Sequence, residues 1–183
     1  MDPGIRTFMT GLSENEVIKI GNNCQSKIKK LLKKTDRLEA YKVQNKKNRK
    51  QLCNTRFKLK NLISDMHWKS INFLTKNYKT ILIGDLSVKG ITNKKNSVLN
   101  KMTKRIGMAL SFYTYKLRLK YKCYVNNCIY TEVNEKYTSK MCSNCSRYNE
   151  NLGSNKIYNC SGCKIILDRD VNGCRGICLK MIE

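Results

Sequence analysis

Acidic residues are scarce in this chain: 13 Asp and Glu stand against 37 Lys and Arg among its 183 residues. The formal charge of +24 exceeds what solubility requires and points to a polyanionic partner. The basic residues are 28 Lys and 9 Arg, which favours contact with phosphates over bidentate recognition of bases. The charge therefore predicts a nucleic-acid partner, with a merely solvated basic surface as the alternative.

Long apolar runs are absent as well. No uninterrupted apolar stretch approaches the about 18 residues of a membrane-spanning helix, so we expect no membrane partner. Met1 is followed at once by Asp2, without the apolar segment of a secretory signal peptide. These absences predict an intracellular protein of the nucleus or cytoplasm of a host cell, encoded by the host or by a virus.

A reducing compartment explains how the chain can carry ten cysteines without a disulfide scaffold. Four of them form the metal-binding pattern described below. The other six are interpreted as small apolar residues, namely Cys24, Cys53, Cys123, Cys128, Cys174 and Cys178. The only histidine, His67, is interpreted as a packed or capping residue rather than a ligand. The length allows one domain with a modest core and a small metal-held insertion.

The four remaining cysteines form two Cys-x-x-Cys pairs, Cys142/Cys145 and Cys160/Cys163, with fourteen residues between the pairs. Four thiolates at this spacing can close a tetrahedral shell around one Zn²⁺, while each turn directs backbone amides at sulfur. We therefore predict a structural zinc finger. The run 165–170 follows directly, is apolar at first and ends in acidic residues, so the finger would hold those carboxylates in a fixed place.

Hydrophobic periodicity predicts a mixed order of strands and helices. The predicted strands are 1–11, 16–21, 80–86 and 128–135. The predicted helices are 23–61 with a break at Asn45 to Asn48, about 62–78, 97 to about 122, and 171–181, with a polar loop at 87–96. Between Lys27 and Lys60 there are 14 basic residues against two acidic ones, which favours contact with a phosphate backbone.

The few carboxylates collect at predicted strand ends and at the start of the last helix. Three or four such groups can hold two divalent cations roughly 4 Å apart, which activate a water and stabilise the leaving oxygen of a phosphodiester. An unpaired cluster would repel itself without metal, so we predict a Mg²⁺ site at the rim of an α/β sheet. The alternative is that these groups are caps and surface ion pairs, and Asp168 would then only pair with Arg169.

Three motifs, taken in order and spacing, resemble the RuvC-like nuclease half of TnpB (OrfB) transposon proteins. They are the segment 2–8, the Thr-Ser-Lys-x-Cys-Ser-Asn-Cys hairpin with its second Cys pair, and the segment 168–173. The resemblance covers essentially the whole chain. It implies an α/β, RNase H-like (RuvC-like) mixed sheet with long basic helices and an inserted four-Cys zinc finger. By position, Asp2 resembles the first catalytic aspartate and Asp170 the last.

The middle motif departs from the family, because this chain has Gly84 where the bacterial members carry a catalytic glutamate. Asp85 is one alternative, although a neighbouring strand residue points to the opposite face. Glu135 is preferred, in the arrangement that resembles the eukaryotic and viral Fanzor branch, where the glutamate is relocated. Glu132 is a further alternative, and only one of the two glutamates should reach the site. The predicted catalytic, Mg²⁺-binding set is therefore Asp2, Glu135 and Asp170, with Asp85, Glu132 and Asp168 as substitutes.

The resemblance implies three parts: a nuclease core at 1–136 with a basic helical insertion at about 23–78, a zinc-finger insertion at 137–164, and the last motif with the closing helix at 165–183. The family places guide-binding domains before the nuclease, and they have no counterpart here. We therefore expect a C-terminal fragment, a truncated copy or one product of a split reading frame, with little or no guided cleavage of its own.

The functional prediction is a fragment of an RNA-guided-type DNA endonuclease that uses a two-metal carboxylate mechanism. Its predicted partners are DNA and, through the missing region, a guide RNA, with no small-molecule substrate. The alternative is an inactive, zinc-stabilised nucleic-acid-binding remnant. A zinc-ribbon adaptor for other proteins is a third hypothesis, which explains the cysteines but neither the charge nor the Asp-x-Asn-Gly motif.

Overall fold

The computed structural model describes residues 1–41, 45–86, 99–135, 138–153 and 155–182. Within these ranges, seven strands alternate with five helices. The strands are β1 Asp2–Pro3, β2 Met9–Leu12, β3 Val17–Ile20, β4 Thr80–Gly84, β5 Ile129–Val133, β6 Ile157–Asn159 and β7 Ile166–Asp168. The helices are α1 Cys24–Ala40, α2 Lys46–Asn77, α3 Lys101–Leu110, α4 Phe112–Val125 and α5 Arg169–Ile182. The predicted loop 87–96 and the predicted first helical residue, Ser97, lie outside the described residues.

The strands build a mixed α/β arrangement around β1. Strands β1, β2 and β3 pair antiparallel, with Asp2 opposite Thr10, and β4 and β5 pair parallel. Two backbone hydrogen bonds join the two sheets: the Met1 nitrogen donates to the Leu82 carbonyl (2.7 Å), and the Gly84 N–H donates to the Met1 carbonyl (3.0 Å). The strands therefore lie in the order β3-β2-β1-β4-β5, and the end of β1 is beside the end of β4.

The first predicted strand, 1–11, is wrong as a single element, because β1 and β2 are separate strands that fold back on one another. The Gly4 N–H donates to the Phe8 carbonyl (3.1 Å) and closes the turn between them. A Cβ at Gly4 would lie 2.8 Å from the Thr7 carbonyl oxygen, so the turn requires glycine. The predicted partner strand is confirmed as β3.

The break in the first basic segment lies between α1 and α2, where the Asn45 side chain caps α2 by accepting the Asn48 N–H (2.9 Å). The separate helix predicted at about 62–78 is wrong, because α2 continues without interruption to Asn77. The second basic helix is instead divided, since Ser111 adopts a left-handed conformation (φ 52°) between α3 and α4. The buried face changes at this residue, because Tyr113 and Leu117, which continue the spacing of the predicted apolar stripe, are exposed, whereas Tyr115 and Leu119 are buried.

Aromatic rings fill the centre of the main core. Phe8 stacks on His67 and on Phe112, with ring centroids 5.1 and 5.3 Å apart, and meets the edge of Tyr115 at 4.9 Å. The His67 ring is 1% exposed, and its Nε2 is 2.9 Å from the Leu110 carbonyl oxygen. Burial lowers the pKa of His67 to about 4, so the ring is neutral at pH 7. Its interpretation as a packed residue is confirmed.

All ten cysteines are free thiols. Of the six interpreted as small apolar residues, Cys123 and Cys174 are buried and Cys24, Cys128 and Cys178 are partly buried. The interpretation is wrong for Cys53, which is exposed on the outer face of α2. Among the helices of the described residues, none has both the length and the apolar character needed to cross a membrane.

Candidate active site

Three carboxylates from distant parts of the chain line one cavity of about 570 Å³. Asp2 belongs to β1, Glu135 follows the end of β5, and Asp170 lies in the first turn of α5. They meet there because β1, β4 and β5 are neighbours and α5 packs across them. Arg6 and Arg169 line the same cavity, so cationic groups stand beside the carboxylates.

Gly84 makes room for Glu135. A Cβ at position 84 would collide with Oε2 of Glu135 and would lie 3.3 Å from the Glu135 Cβ and 3.2 Å from Cδ1 of Ile177. The Glu135 carboxylate thus occupies the space that a side chain at position 84 would need. Asp85 does not line the cavity, and its exposed carboxylate accepts the Glu135 backbone N–H at 3.0 Å.

Gly173 leaves space for the Asp2 carboxylate, as Gly84 does for Glu135. A Cβ at this position would lie 2.6 Å from Oδ2 and 3.3 Å from Cγ of Asp2. Helix α5 therefore approaches β1 closely enough for the Asp2 carboxylate to lie directly over the helix backbone. The glycine of the Asp-x-Asn-Gly motif is explained by this approach, and the aspartate of the motif, Asp170, reaches the same cavity.

Burial and mutual repulsion make these carboxylates hard to ionise. Burial, then the charge of Asp170, raises the pKa of Asp2 to about 7. Burial, then the charges of Asp2 and Asp85, raises the pKa of Glu135 to about 7. Oε2 of Glu135 is buried and has no hydrogen-bond partner among the described residues. A divalent cation would relieve both conditions, and an all-oxygen donor set suits Mg²⁺, so these residues fit such an ion in their chemistry. Among the described residues, only the four sulfurs of the Cys-x-x-Cys pairs gather within 4.8 Å of one another, and the three carboxylates do not.

Asp168 is placed differently from these three. Its Oδ2 pairs with Nζ of Lys19 (2.7 Å), and its Oδ1 accepts the Asp170 N–H (2.8 Å), which caps α5. Burial tends to raise the pKa of Asp168, but the hydrogen bond from Lys19 and the backbone donors hold it below its usual value. The expected pairing with Arg169 is not found, since that guanidinium donates to the Gly153 carbonyl (2.8 Å).

Glu132 also lies outside the cavity. It accepts hydrogen bonds from Nζ of Lys116 (2.7 Å) and from the hydroxyl of Tyr130 (2.8 Å). The hydrogen bond from Lys116 lowers the pKa of Glu132. Of the two glutamates near the end of β5, only Glu135 faces Asp2 and Asp170.

A second, polar cavity of about 240 Å³ adjoins the first and shares Asp170 with it. Arg6, Lys19 and Lys156 line this cavity together with Asp168. Three cations against two carboxylates leave this flank of the site positive, which is the sign that attracts a phosphodiester backbone. Sequence reasoning did not select Lys19 or Lys156, because they are distant in the chain and resemble many other surface lysines.

The four predicted zinc ligands are assembled. Their sulfur atoms all lie within 4.8 Å of one another and could hold a metal ion. The Sγ atoms of Cys142 and Cys163 are 3.6 Å apart, and those of Cys145 and Cys160 are 3.5 Å apart. Soft thiolates in this number favour zinc over the hard cations that suit the carboxylate cavity.

The two Cys-x-x-Cys turns have the same backbone form. In the first, Ser146 has φ 56° and its N–H donates to the Cys142 carbonyl (2.9 Å). In the second, Lys164 has φ 62° and its N–H donates to the Cys160 carbonyl (3.1 Å). Both turns are therefore closed by backbone hydrogen bonds, which leaves the paired sulfurs facing one another.

Sequence reasoning missed Asn172, a polar residue of α5 that is 0% exposed. Its side-chain amide hydrogen-bonds to the backbone of Met141 and Ser143, the residues on either side of Cys142. The one signal in the sequence was its position inside the Asp-x-Asn-Gly motif. A buried asparagine normally has hydrogen-bond partners for its side-chain amide.

Similarities to known proteins extend over the whole fold. Residues 112–177 match the family model described as Cas12f1-like, TNB domain. The TnpB-like proteins L79 and L770 of Acanthamoeba polyphaga mimivirus are 36% identical to it over an alignment of 187 positions, which covers 97% of this chain and 36% of each relative. The putative transposase A625R of Paramecium bursaria Chlorella virus 1 is 33% identical over 64% of this chain and 26% of its own length.

Among solved structures, the fold is similar to that of the Cas12f1–sgRNA–target DNA complex determined by cryo-electron microscopy. The TM-score is 0.66 at 19% identity, over 96% of this chain and 48% of the other. These similarities confirm the predicted resemblance to TnpB-type transposon proteins. The chain spans about a third of the length of the curated relatives it matches, and the narrower resemblance to the Fanzor branch stays a prediction.

Proposed function

We propose that this TnpB-type chain is the nuclease part of an RNA-guided-type DNA endonuclease. The observation that carries the proposal is the meeting of Asp2, Glu135 and Asp170 in one cavity, with a buried oxygen of Glu135 left without a partner among the described residues. The mixed sheet, with β1 between the antiparallel and the parallel strands, supports an RNase H-like (RuvC-like) architecture.

The proposed reaction is hydrolysis of a phosphodiester. The oxygen of a water molecule bonds to phosphorus, the bond from phosphorus to the leaving sugar oxygen breaks, and the proton lost by the water balances the one gained by the leaving oxygen. Divalent cations, when bound, supply Lewis acidity to the attacking water and to the leaving oxygen. The raised pKa values of Asp2 and Glu135 mean that both carboxyl groups must release protons before they bind such cations.

Residues around the carboxylates would orient the strand. Arg6 lines both cavities and Arg169 lines the larger one, so their guanidinium groups are placed to contact phosphates that flank the reacting one. The lysine-rich surfaces of α1 and α2 would extend this contact along the backbone of the nucleic acid. We propose DNA as the strand that is cut and, within a longer assembly, a guide RNA as the second partner.

The four-Cys cluster is proposed to bind one structural Zn²⁺. The division into a nuclease core at 1–136, a finger at 137–164 and a closing segment at 165–183 is proposed with it. A membrane or a small-molecule substrate is not expected, and a location in the nucleus or cytoplasm is the one that fits a DNA substrate.

The direct test is cleavage of end-labelled single-stranded DNA by the purified chain with Mg²⁺, beside Asp170→Ala. Cutting by the parent and none by the variant is the expected result. DNA binding should be measured on both proteins by fluorescence anisotropy with Ca²⁺ in place of Mg²⁺, so that loss of cutting is separated from loss of binding. Equal cutting by the parent and Asp170→Ala would reject the proposed site.

A second candidate function is a nucleic-acid-binding remnant that does not cut. The observation that favours it is the 36% of the relatives' length that this chain covers, since activities of the whole relatives need not reside in this part. Tight DNA binding without any cutting by the parent, at any divalent cation tested, would select this function.

A further inference from the structure

Asn172 is 0% exposed and lies in the first turns of α5, two residues after Asp170. An amide side chain in such a position costs stability unless its donors and acceptor are satisfied. The groups that satisfy the Asn172 amide come from a different part of the chain, residues 138–143.

The Asn172 amide joins α5 to the four-Cys unit. Its Oδ1 accepts the backbone N–H of Ser143 (3.0 Å), which lies between Cys142 and Cys145. Its Nδ2 donates to the Met141 carbonyl oxygen (2.7 Å). One side chain thus hydrogen-bonds to the residues on both sides of Cys142, so the position of this metal ligand and the start of α5 depend on one another.

The same amide also reaches Thr138, which hydrogen-bonds to Glu135. Nδ2 of Asn172 is 3.4 Å from the Thr138 carbonyl oxygen. The N–H and the hydroxyl of Thr138 both donate to the Glu135 carbonyl, at 3.1 and 2.8 Å. A Cβ at Gly176 would lie 3.0 Å from the Cβ of Thr138, so Thr138 packs directly on α5. Glu135 is therefore connected to Asn172 through one intervening residue.

The four-Cys unit has its own small core, which is separate from the main core. It comprises Cys142, Leu152, Tyr158 and Cys160. Loss of a metal from the four sulfurs would loosen this small core first, and the Asn172 hydrogen bonds would pass that loosening to Asp170 and Glu135. The main core, centred on Phe8, makes no use of the metal.

We propose that Asn172 is a positioning residue through which the metal-filled four-Cys unit holds Asp170 and Glu135 in their common cavity, where they would bind divalent cations. Removal of the finger metal is then expected to weaken cation binding in the carboxylate cavity. The inference rests on the proposed function, because it assumes that the cavity binds divalent cations.

The test uses the purified full chain, loaded with zinc, and measures Mn²⁺ affinity by electron paramagnetic resonance. Two variants remove the hydrogen bonds: Asn172→Ala also removes volume, whereas Asn172→Leu retains it. Asn149→Ala is the matched control, since the Asn149 side chain accepts the Asn151 N–H (3.1 Å), a hydrogen bond that lies within the four-Cys unit. We expect both Asn172 variants to bind Mn²⁺ about 10-fold or more weakly, as for other residues that orient metal ligands, and Asn149→Ala to equal the parent.

Zinc removal provides the readout that a purely structural role would not move. In the parent and in Asn149→Ala, prior removal of zinc by a chelator followed by desalting should lower Mn²⁺ affinity. In the Asn172 variants, affinity should already be low and should change little on zinc removal. Trp68 fluorescence on α2 reports whether the main core stays folded in every sample, and zinc content is measured beside it.

Two outcomes would overturn the inference. One is Mn²⁺ affinity in Asn172→Leu equal to the parent, which would reduce Asn172 to a space-filling residue. The other is a zinc-free parent with unchanged Mn²⁺ affinity. Asp170→Ala separates the proposed function from the proposed role of Asn172. If Asp170→Ala binds Mn²⁺ as the parent does, the proposed function fails. If Asp170→Ala loses Mn²⁺ and the Asn172 variants do not, only the role of Asn172 is rejected.

Discussion

Two pairs of carboxylates in this chain differ in their surroundings and not in their chemistry. Asp2 and Glu135 are enclosed, and burial raises the pKa of each to about 7. Glu132 and Asp36 are bonded to Lys116 and Arg105, and those hydrogen bonds lower the pKa of each. In a chain with 37 basic residues a cationic partner is easily found, so the buried Oε2 of Glu135, which has no hydrogen-bond partner among the described residues, supports the proposed cation site.

The largest expected effect separates the two glutamates near the end of β5. Glu135→Ala should reduce DNA cleavage by about 10²-fold or more, the scale of losing one positioned catalytic group, because it removes a ligand from the cavity. Glu132→Ala should leave cleavage within about 2-fold, since it breaks only the hydrogen bonds with Lys116 and Tyr130, which lie outside the cavity. The measurement is the single-turnover rate of both variants, and the reverse ranking would exchange their roles.

A somewhat smaller effect is expected when the enclosed group is displaced without being removed. Gly84→Ala places a Cβ against Oε2 of Glu135, so the carboxylate must move and Mn²⁺ affinity should fall about 10-fold. Gly107→Ala is the matched control, because its Cβ would meet only the flexible Ile5 side chain at 3.2 Å. Isothermal titration with Mn²⁺ checks the result, and unchanged affinity in Gly84→Ala would show that Glu135 does not need this space.

A third prediction concerns pH. The native state keeps protons on Asp2 and Glu135 up to about pH 7, whereas the unfolded chain releases them near its ordinary values of 3.8 and 4.5. Their contribution to stability is therefore present below those values and is lost as pH rises towards 7 and beyond. The Tm of the metal-free protein should fall by a few degrees between pH 5 and 8, at about 2–4 °C per kcal/mol.

Divalent cations should reverse that loss at pH 8 and have little effect at pH 5, since the protonated carboxyl groups do not bind them. The double variant Asp2→Asn, Glu135→Gln should flatten the decline. Asp36 and Glu132 do not enter this window, because their pKa values lie below the ordinary range. A parent whose Tm rises from pH 5 to pH 8 would contradict the enclosure of the cavity carboxylates.

The smallest effect on stability and on metal binding should come from Asp36, which pairs with Arg105. Asp36→Asn breaks a bidentate pair in which the two guanidinium nitrogens of Arg105 lie 2.7 and 2.6 Å from the carboxylate oxygens. Because the pair is on the surface, the free energy of unfolding should fall by about 0.2–1 kcal/mol, and Mn²⁺ affinity should not change. Urea denaturation and the same metal titration test this, and any loss of Mn²⁺ binding would mean that the two groups are not independent.

Much of the site could be predicted from local patterns and from the family resemblance. Cysteine spacing identified the four sulfurs that the structure brings together, and the motifs selected the three carboxylates that line the cavity. The errors occurred where one residue changes the direction of the chain. The turn closed by Gly4 and the left-handed Ser111 interrupt elements whose hydrophobic period continues across them. Exposure of Cys53 was missed because a face of a helix cannot be assigned from one residue.

The sequence by itself determined the four-Cys pattern and the sign of the charge, since both follow from residue type and short spacing. It also restricted the middle carboxylate to a few candidates. Only the tertiary structure placed one of them, Glu135, in the same cavity as Asp2 and Asp170, because this placement depends on the space that Gly84 leaves for the Glu135 carboxylate. The role of Asn172 likewise appears only when α5 and the Cys142 turn are in contact, since a hydrogen bond between residues 29 positions apart leaves no local pattern.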